Sequence, residues 1–208
     1  LEGSPPWRTA YLLAMGQQRG ARDNQLRLLR ALRRGSTPPT AEELRTFLLV
    51  DSTRVDAGQL ARVYAELSPV RFGQNETRIR NGNFEGNRNH GPFGWVYYSG
   101  DLGFAEVTAS PDGRGKAMYA EFEGRQNATV ATQYLTLAPG AYTLNLRSYG
   151  LSELTGQTRL QLSCQTSPTS RRLQATMPIR GGIGSWQAQR WRFNVPRGCA
   201  GPIIDLAW

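Results

Sequence analysis

Residues 140–147 read Gly140-Ala141-Tyr142-Thr143-Leu144-Asn145-Leu146-Arg147. Tyr142, Leu144 and Leu146 alternate with Thr143, Asn145 and Arg147, the period of a strand with one buried face. The same period recurs downstream. Leu160, Leu162 and Cys164 alternate with Arg159, Gln161 and Ser163, and Trp191, Phe193 and Val195 alternate with Arg190, Arg192 and Asn194. Turn residues punctuate these runs at Ser110-Pro111-Asp112-Gly113, Ala138-Pro139-Gly140 and Pro196-Arg197-Gly198. From residue 78 to residue 208 the pattern predicts about eight or nine strands without an intervening helix, arranged as an antiparallel β-sandwich of jelly-roll type.

Upstream the period is different. Trp7, Tyr11, Leu12 and Met15 recur at helical spacing, as do Leu26, Leu29 and Leu32, with Arg27, Arg30, Arg33 and Arg34 on the other face. Thr37-Pro38-Pro39 breaks the run, and Thr40 with Glu43 forms a capping-box signature ahead of Leu44, Phe47 and Leu48. A last run, Leu60, Val63, Tyr64 and Leu67, follows Asp56-Ala57-Gly58. The expectation is an α+β chain of two domains. Residues 1–68 form short helical hairpins, 69–77 a linker and 78–208 the β-sandwich. The hairpins resemble the tetratricopeptide-type helical repeat, although its small and aromatic consensus positions are not reproduced. That likeness implies the end of a longer helical array and a protein partner; the alternative is a four-helix cap on the next domain.

Composition narrows the function. The 208 residues carry 25 Lys+Arg against 16 Asp+Glu, a formal +9, and every basic residue except Lys116 is Arg. Residues 1–68 hold ten basic and seven acidic residues, and residues 69–208 hold fifteen and nine, so the excess is shared between the halves. An anionic partner fits this charge, but no block of like charge marks a nucleic-acid-binding tail. One His and two Cys cannot build a zinc finger. No run approaches a membrane span. The first residues, Leu1-Glu2-Gly3-Ser4, lack a Met and a signal-peptide pattern, as expected of a mature chain or a piece of a longer one.

Several segments together resemble the carbohydrate-binding modules of family 4/9 type, the galactose-binding-like jelly rolls. They are Asn81-Gly82-Asn83-Phe84-Glu85 with Gly94-Trp95, the strand Lys116 to Phe122, and Gln133-Tyr134-Leu135-Thr136-Leu137 before Pro139-Gly140 and Tyr142-Thr143-Leu144. The closing Trp186, Trp191, Phe193, Val195-Pro196 and Ile204-Asp205 complete the likeness. It covers about residues 78–208 and implies a non-catalytic module that binds polysaccharide in a groove on one sheet face. Such a site stacks sugar C–H faces on aromatic rings and meets hydroxyls with polar side chains. Positions of parity opposite the core supply the candidates: Tyr134, Asn145, Arg147, Tyr149, Gln161 and Arg192. The arginines suit an acidic glycan. Trp95, Trp186 and Trp191 read as structural, and Tyr97 or Tyr98 could rim a site.

The resemblance also implies a structural calcium, with Glu85 and Asp205 as its carboxylates and carbonyls near Asn81 or Asn83. Leu206 stands where a second acidic residue is common, a departure from the pattern. Cys164 and Cys199, 35 positions apart, either form a disulfide, as secreted modules of this kind often do, or remain thiols in a cytosolic protein. A disulfide would contribute about 3–4 kcal/mol in the chain-entropy model and place the protein in a bacterial periplasm or outside the cell. The sequons at Asn75 and Asn127 would count only in a eukaryotic secretory pathway. No common catalytic motif occurs, so no enzyme is expected. Glu121 and Glu123, about 7 Å apart on an extended strand, are the formal candidates for a carboxylate pair. His90 reads as an exposed loop residue.

Overall fold

The computed structural model describes residues 5, 7–18, 20–68, 79–86, 91–123, 127–151, 157–167 and 169–208. The expected linker 69–77, His90 and the Asn75 sequon lie outside them. Four helices come first: α1 (Trp7–Gly16), α2 (Arg22–Arg34), α3 (Ala41–Asp51) and α4 (Ala57–Leu67). Their starts follow the sequence signals. Thr40 accepts from the Glu43 amide while the Glu43 carboxylate accepts from the Thr40 amide, so the capping box satisfies two orphan donors at the start of α3. Asp56 caps α4 by accepting from the Gln59 amide.

Antiparallel sheets follow. Ten strands occur among the described residues: β1 (Val96–Tyr97), β2 (Ser99–Gly100), β3 (Gly103–Ala109), β4 (Lys116–Glu121), β5 (Thr129–Tyr134), β6 (Gly140–Tyr149), β7 (Arg159–Ser167), β8 (Ser170–Pro178), β9 (Trp186–Val195) and β10 (Pro202–Ala207). They form a five-stranded sheet ordered β1-β5-β10-β7-β8, a three-stranded sheet β2-β3-β4 and a two-stranded sheet β6-β9. The chain is thus α+β, helices first and antiparallel sheets after.

Two cores hold these layers. Ala105, Ala131, Leu160, Leu162, Trp191 and Leu206 lie in one, so all three sheets turn a face to it. The other is built from Leu12, Leu29, Phe47, Leu48, Leu60 and Tyr64 of the helices, but it also contains Phe93, Tyr134 and Ile203. The helices therefore pack on the outer face of the five-stranded sheet. Tyr64 stacks on Phe93 with centroids 4.8 Å apart, and Phe93 meets the edge of Tyr134 at 6.2 Å. Backbones approach closely here. A Cβ on Gly201 would stand 1.9 Å from the Ala57 Cβ, so only glycine admits this contact between the start of β10 and α4. The Cys164–Cys199 disulfide ties β7 to the turn preceding that contact.

Inside the helical layer, Arg8 and Glu43 form a buried ion pair joining α1 to α3, 4% and 0% exposed. Arg8 also donates to the carbonyls of Thr37 and Pro38. A buried pair of this kind is held in place by its extra hydrogen bonds, since each charge alone would carry a large desolvation cost. No helix among the described residues is long and apolar enough to cross a membrane.

Candidate functional site

The register of β6 against β9 decides which side chains share a face. Tyr149 lies opposite Trp186, Arg147 opposite Ala188, Asn145 opposite Arg190 and Thr143 opposite Arg192. The intervening positions Leu144, Leu146, Trp191 and Phe193 belong to the sheet core or pack against it. The first set therefore stands on the other side of the pleat, where Thr143, Asn145, Arg147, Arg190 and Arg192 are all exposed.

This face is ordered by its own contacts. Tyr149 meets Trp186 edge to face at 5.6 Å, and the Arg147 guanidinium lies over the Trp186 ring at 4.9 Å. Arg190 Nε donates to Asn145 Oδ1 at 3.1 Å across the strand pair. On the opposite parity at the strand end, Ser148 donates to the Arg180 carbonyl, and Gln189 Nε2 donates to Ser148 Oγ at 2.6 Å.

Among the described residues, β6 pairs only with β9 and β4 only with β3. Between these two edges lies a cleft of about 2390 Å³. Its lining includes Asn145, Arg147, Tyr149, Trp186 and Arg190 of β6 and β9, Glu106, Tyr119 and Glu121 of β3 and β4, and the core-side Leu144, Leu146, Leu160, Ile204 and Leu206. Ser110, Pro111 and Asp112 of the turn after β3 also line it. There Asp112 accepts from Ser110 Oγ at 2.6 Å and from the Arg114 amide at 3.1 Å. The Ser110 bond first, then the Arg114 amide, with Arg147 adding, hold the Asp112 carboxyl below the usual carboxylate range. On β4 the Tyr119 hydroxyl donates to Glu121 Oε2 at 2.5 Å, and that bond raises the Tyr119 phenol above its usual value.

Of the six groove candidates, Asn145, Arg147, Tyr149 and Arg192 thus come together, although Arg192 lies outside the cleft lining. The other two do not join them. Tyr134 faces away from the sheet core, as its parity requires, but the helical layer covers that face and leaves it 6% exposed. Gln161 sits on the same outer face of the five-stranded sheet, opposite Asp205 and Thr176. Parity places a side chain on one side of its strand; it does not say which sheet the strand joins or what covers it.

Of the tryptophans, Trp191 is core at 7% exposed and Trp95 is half-buried. Trp186 is half-buried with its indole nitrogen buried, and register puts it on the same face of the pleat as Tyr149. Parity separates it from Trp191, five positions on. Tyr97 packs on the sheet core, where burial pushes its phenol up to about 12. Tyr98 is 44% exposed beside Tyr134 and Arg171 on the outer face of the five-stranded sheet, and burial raises its phenol as well.

The two carboxylates expected to share a calcium are on opposite sides of the five-stranded sheet. Glu85 lines the cleft with Ile204 and Leu206, and its Oε1 accepts from the Lys116 amide at 2.6 Å. Asp205, between Ile204 and Leu206, points the other way. It accepts from Thr132 Oγ1 and pairs with Arg171 at 3.2 Å. The guanidinium already supplies the positive charge that a cation would bring, so this arrangement does not fit one ion held by both residues. Among the described residues no three His, Cys, Asp or Glu side chains come together. Glu121 ends β4 in the cleft. Glu123 lies beyond the strand, its amide bonded to the Leu102 carbonyl, and is not part of the lining.

No protein-family model matches the chain, and no curated protein was found to match it.

Proposed function

We propose that this chain is a non-catalytic polysaccharide-binding module of an exported bacterial protein, with a jelly-roll sandwich as its β-part. The observation that carries the reading is the open β6–β9 face, where Tyr149 and Trp186 stand beside exposed Asn145, Arg147 and Arg190 at the rim of the cleft. Rings take the apolar face of a sugar, while amide and guanidinium groups meet its hydroxyls. Three sheets sharing one core support the sandwich. The disulfide supports an oxidising compartment.

A glycan array with wild type, Tyr149→Ala and Trp186→Ala tests the reading. Binding to at least one polysaccharide is expected, weakened about tenfold by either substitution, the equivalent of one stacked ring at the upper end of its range. A wild-type protein that binds no glycan would end it.

A second reading, a scaffold that docks another protein and binds no sugar, is favoured by the outer side of α1. There Trp7, Tyr11 and Leu13 are 62%, 49% and 45% exposed. Retained partner capture in Trp7→Ser/Tyr11→Ser would count against this second reading.

A further inference from the structure

We infer that the β6–β9 face selects an acidic glycan, one bearing uronate carboxylates, and reads them with the row Arg147, Arg190 and Arg192. The inference rests on the polysaccharide-binding reading and names its ligand class. Net charge does not carry it, because the basic excess is spread over the whole chain. The placement does. Register puts all three arginines on the face that also holds Tyr149 and Trp186, and that face carries no acidic residue from Thr143 to Tyr149 or from Trp186 to Arg192.

Each guanidinium is presented differently. Arg190 is steered by Asn145, which takes only its Nε and leaves the terminal nitrogens for another acceptor. The Arg147 guanidinium lies over the Trp186 ring, 4.9 Å from its centroid, a cation–π contact that holds the cation beside the ring. Arg192 is exposed and bonds to no other described side chain. Arg190 and Arg192, two residues apart on one strand, stand about 7 Å apart at the backbone. Two planar forks in line along a ring-bearing face suit a chain whose carboxylates recur along its length.

Affinity electrophoresis through a panel of uronic-acid polymers, their fully methyl-esterified forms and neutral polysaccharides tests the inference. Esterification keeps the ring and removes the charge. At least one uronate polymer is expected to retard the protein, and its ester to bind about tenfold more weakly, the loss of one charge-assisted contact. Arg190→Gln/Arg192→Gln should lose about tenfold or more on the uronate polymer, whereas Arg33→Gln/Arg34→Gln, which removes the same charge from α2, should stay within about twofold. Equal losses in the two double variants would reduce the effect to general charge attraction and overturn the inference. Neutral polymers bound as tightly as uronates would also overturn it, while leaving the polysaccharide reading intact. Retardation by no polymer of either kind would remove both.

Discussion

Tyr134 and Tyr149 have the same local setting: a tyrosine at the end of a strand, with parity opposite the core residues beside it. Tyr134 is 6% exposed beneath the helices, while Tyr149 stands on the open β6–β9 face against Trp186. The faces they occupy differ in the same way. The outer side of the five-stranded sheet is covered by the helical layer through Phe93, Tyr134 and Ile203, and its one carboxylate at mid-strand, Asp205, is taken up by Thr132 and Arg171. Among the described residues no layer covers the outer side of β6–β9, and its three guanidiniums are exposed. An alternating strand therefore specifies two faces but not their fates. A face is buried or stays open according to whether another layer lands on it.

The largest effects should separate these faces by stability. Tyr134→Ala should cost about 3–5 kcal/mol, the range for a large aromatic removed from a core, and Tyr149→Ala less than about 1 kcal/mol, as for surface changes. Chemical denaturation of both variants checks this, and equal costs would break the comparison. Next comes the staple beside the covered face. Cys164→Ser/Cys199→Ser should lose about 3–4 kcal/mol, and hydrogen exchange should rise first in α4 and β10, which meet at Ala57 and Gly201. Protection unchanged in those two elements would show that the disulfide does not hold the helices to the sheet.

A smaller effect tests the ion pair on the covered face. Asp205→Asn should cost about 1–2 kcal/mol: Asp205 is buried, but Arg171 is partly exposed, so solvent screens part of the pair. A thermal melt that does not move would mean that the pair adds nothing. The smallest is on the open side. Asp112 should titrate below the usual carboxylate range, and Arg147→Gln should bring its midpoint upward. The sign follows from linkage. A lowered folded-state value stabilises the turn above the unfolded-state pKa, and that contribution fades as pH falls through the lowered value. NMR of the side-chain carboxyl carbons reads both; a downward move in the variant would contradict the role given to Arg147.

How much was legible in the sequence follows the range of each interaction. The α3 capping box, the helical runs and the β6, β7 and β9 alternation depend on residues a few positions apart, and the expected elements form where these local signals stand. In the candidate site, Asn145, Arg147, Tyr149 and Arg192 were readable from parity alone because one strand pair in register brings them together. Tyr134 and Gln161 were not, because their strands belong to the other sheet, a matter of pairing between residues up to 78 positions apart. Asp205 shows the same limit. Its partner Arg171 is 34 positions away and reaches it only because β7 and β8 bring Arg171 to the outer face.

By itself the sequence determined the order of helices then strands, the period of each, the two faces of every strand and the excess of arginine. Those follow from backbone hydrogen bonding and the spacing of apolar side chains, both written within a few residues. The tertiary structure decided which face is buried under the helices, which of Tyr134 and Tyr149 the helical layer covers, and that Trp186 stands with Tyr149. Burial is a property of layers meeting, and that depends on contacts between segments that sequence spacing does not relate.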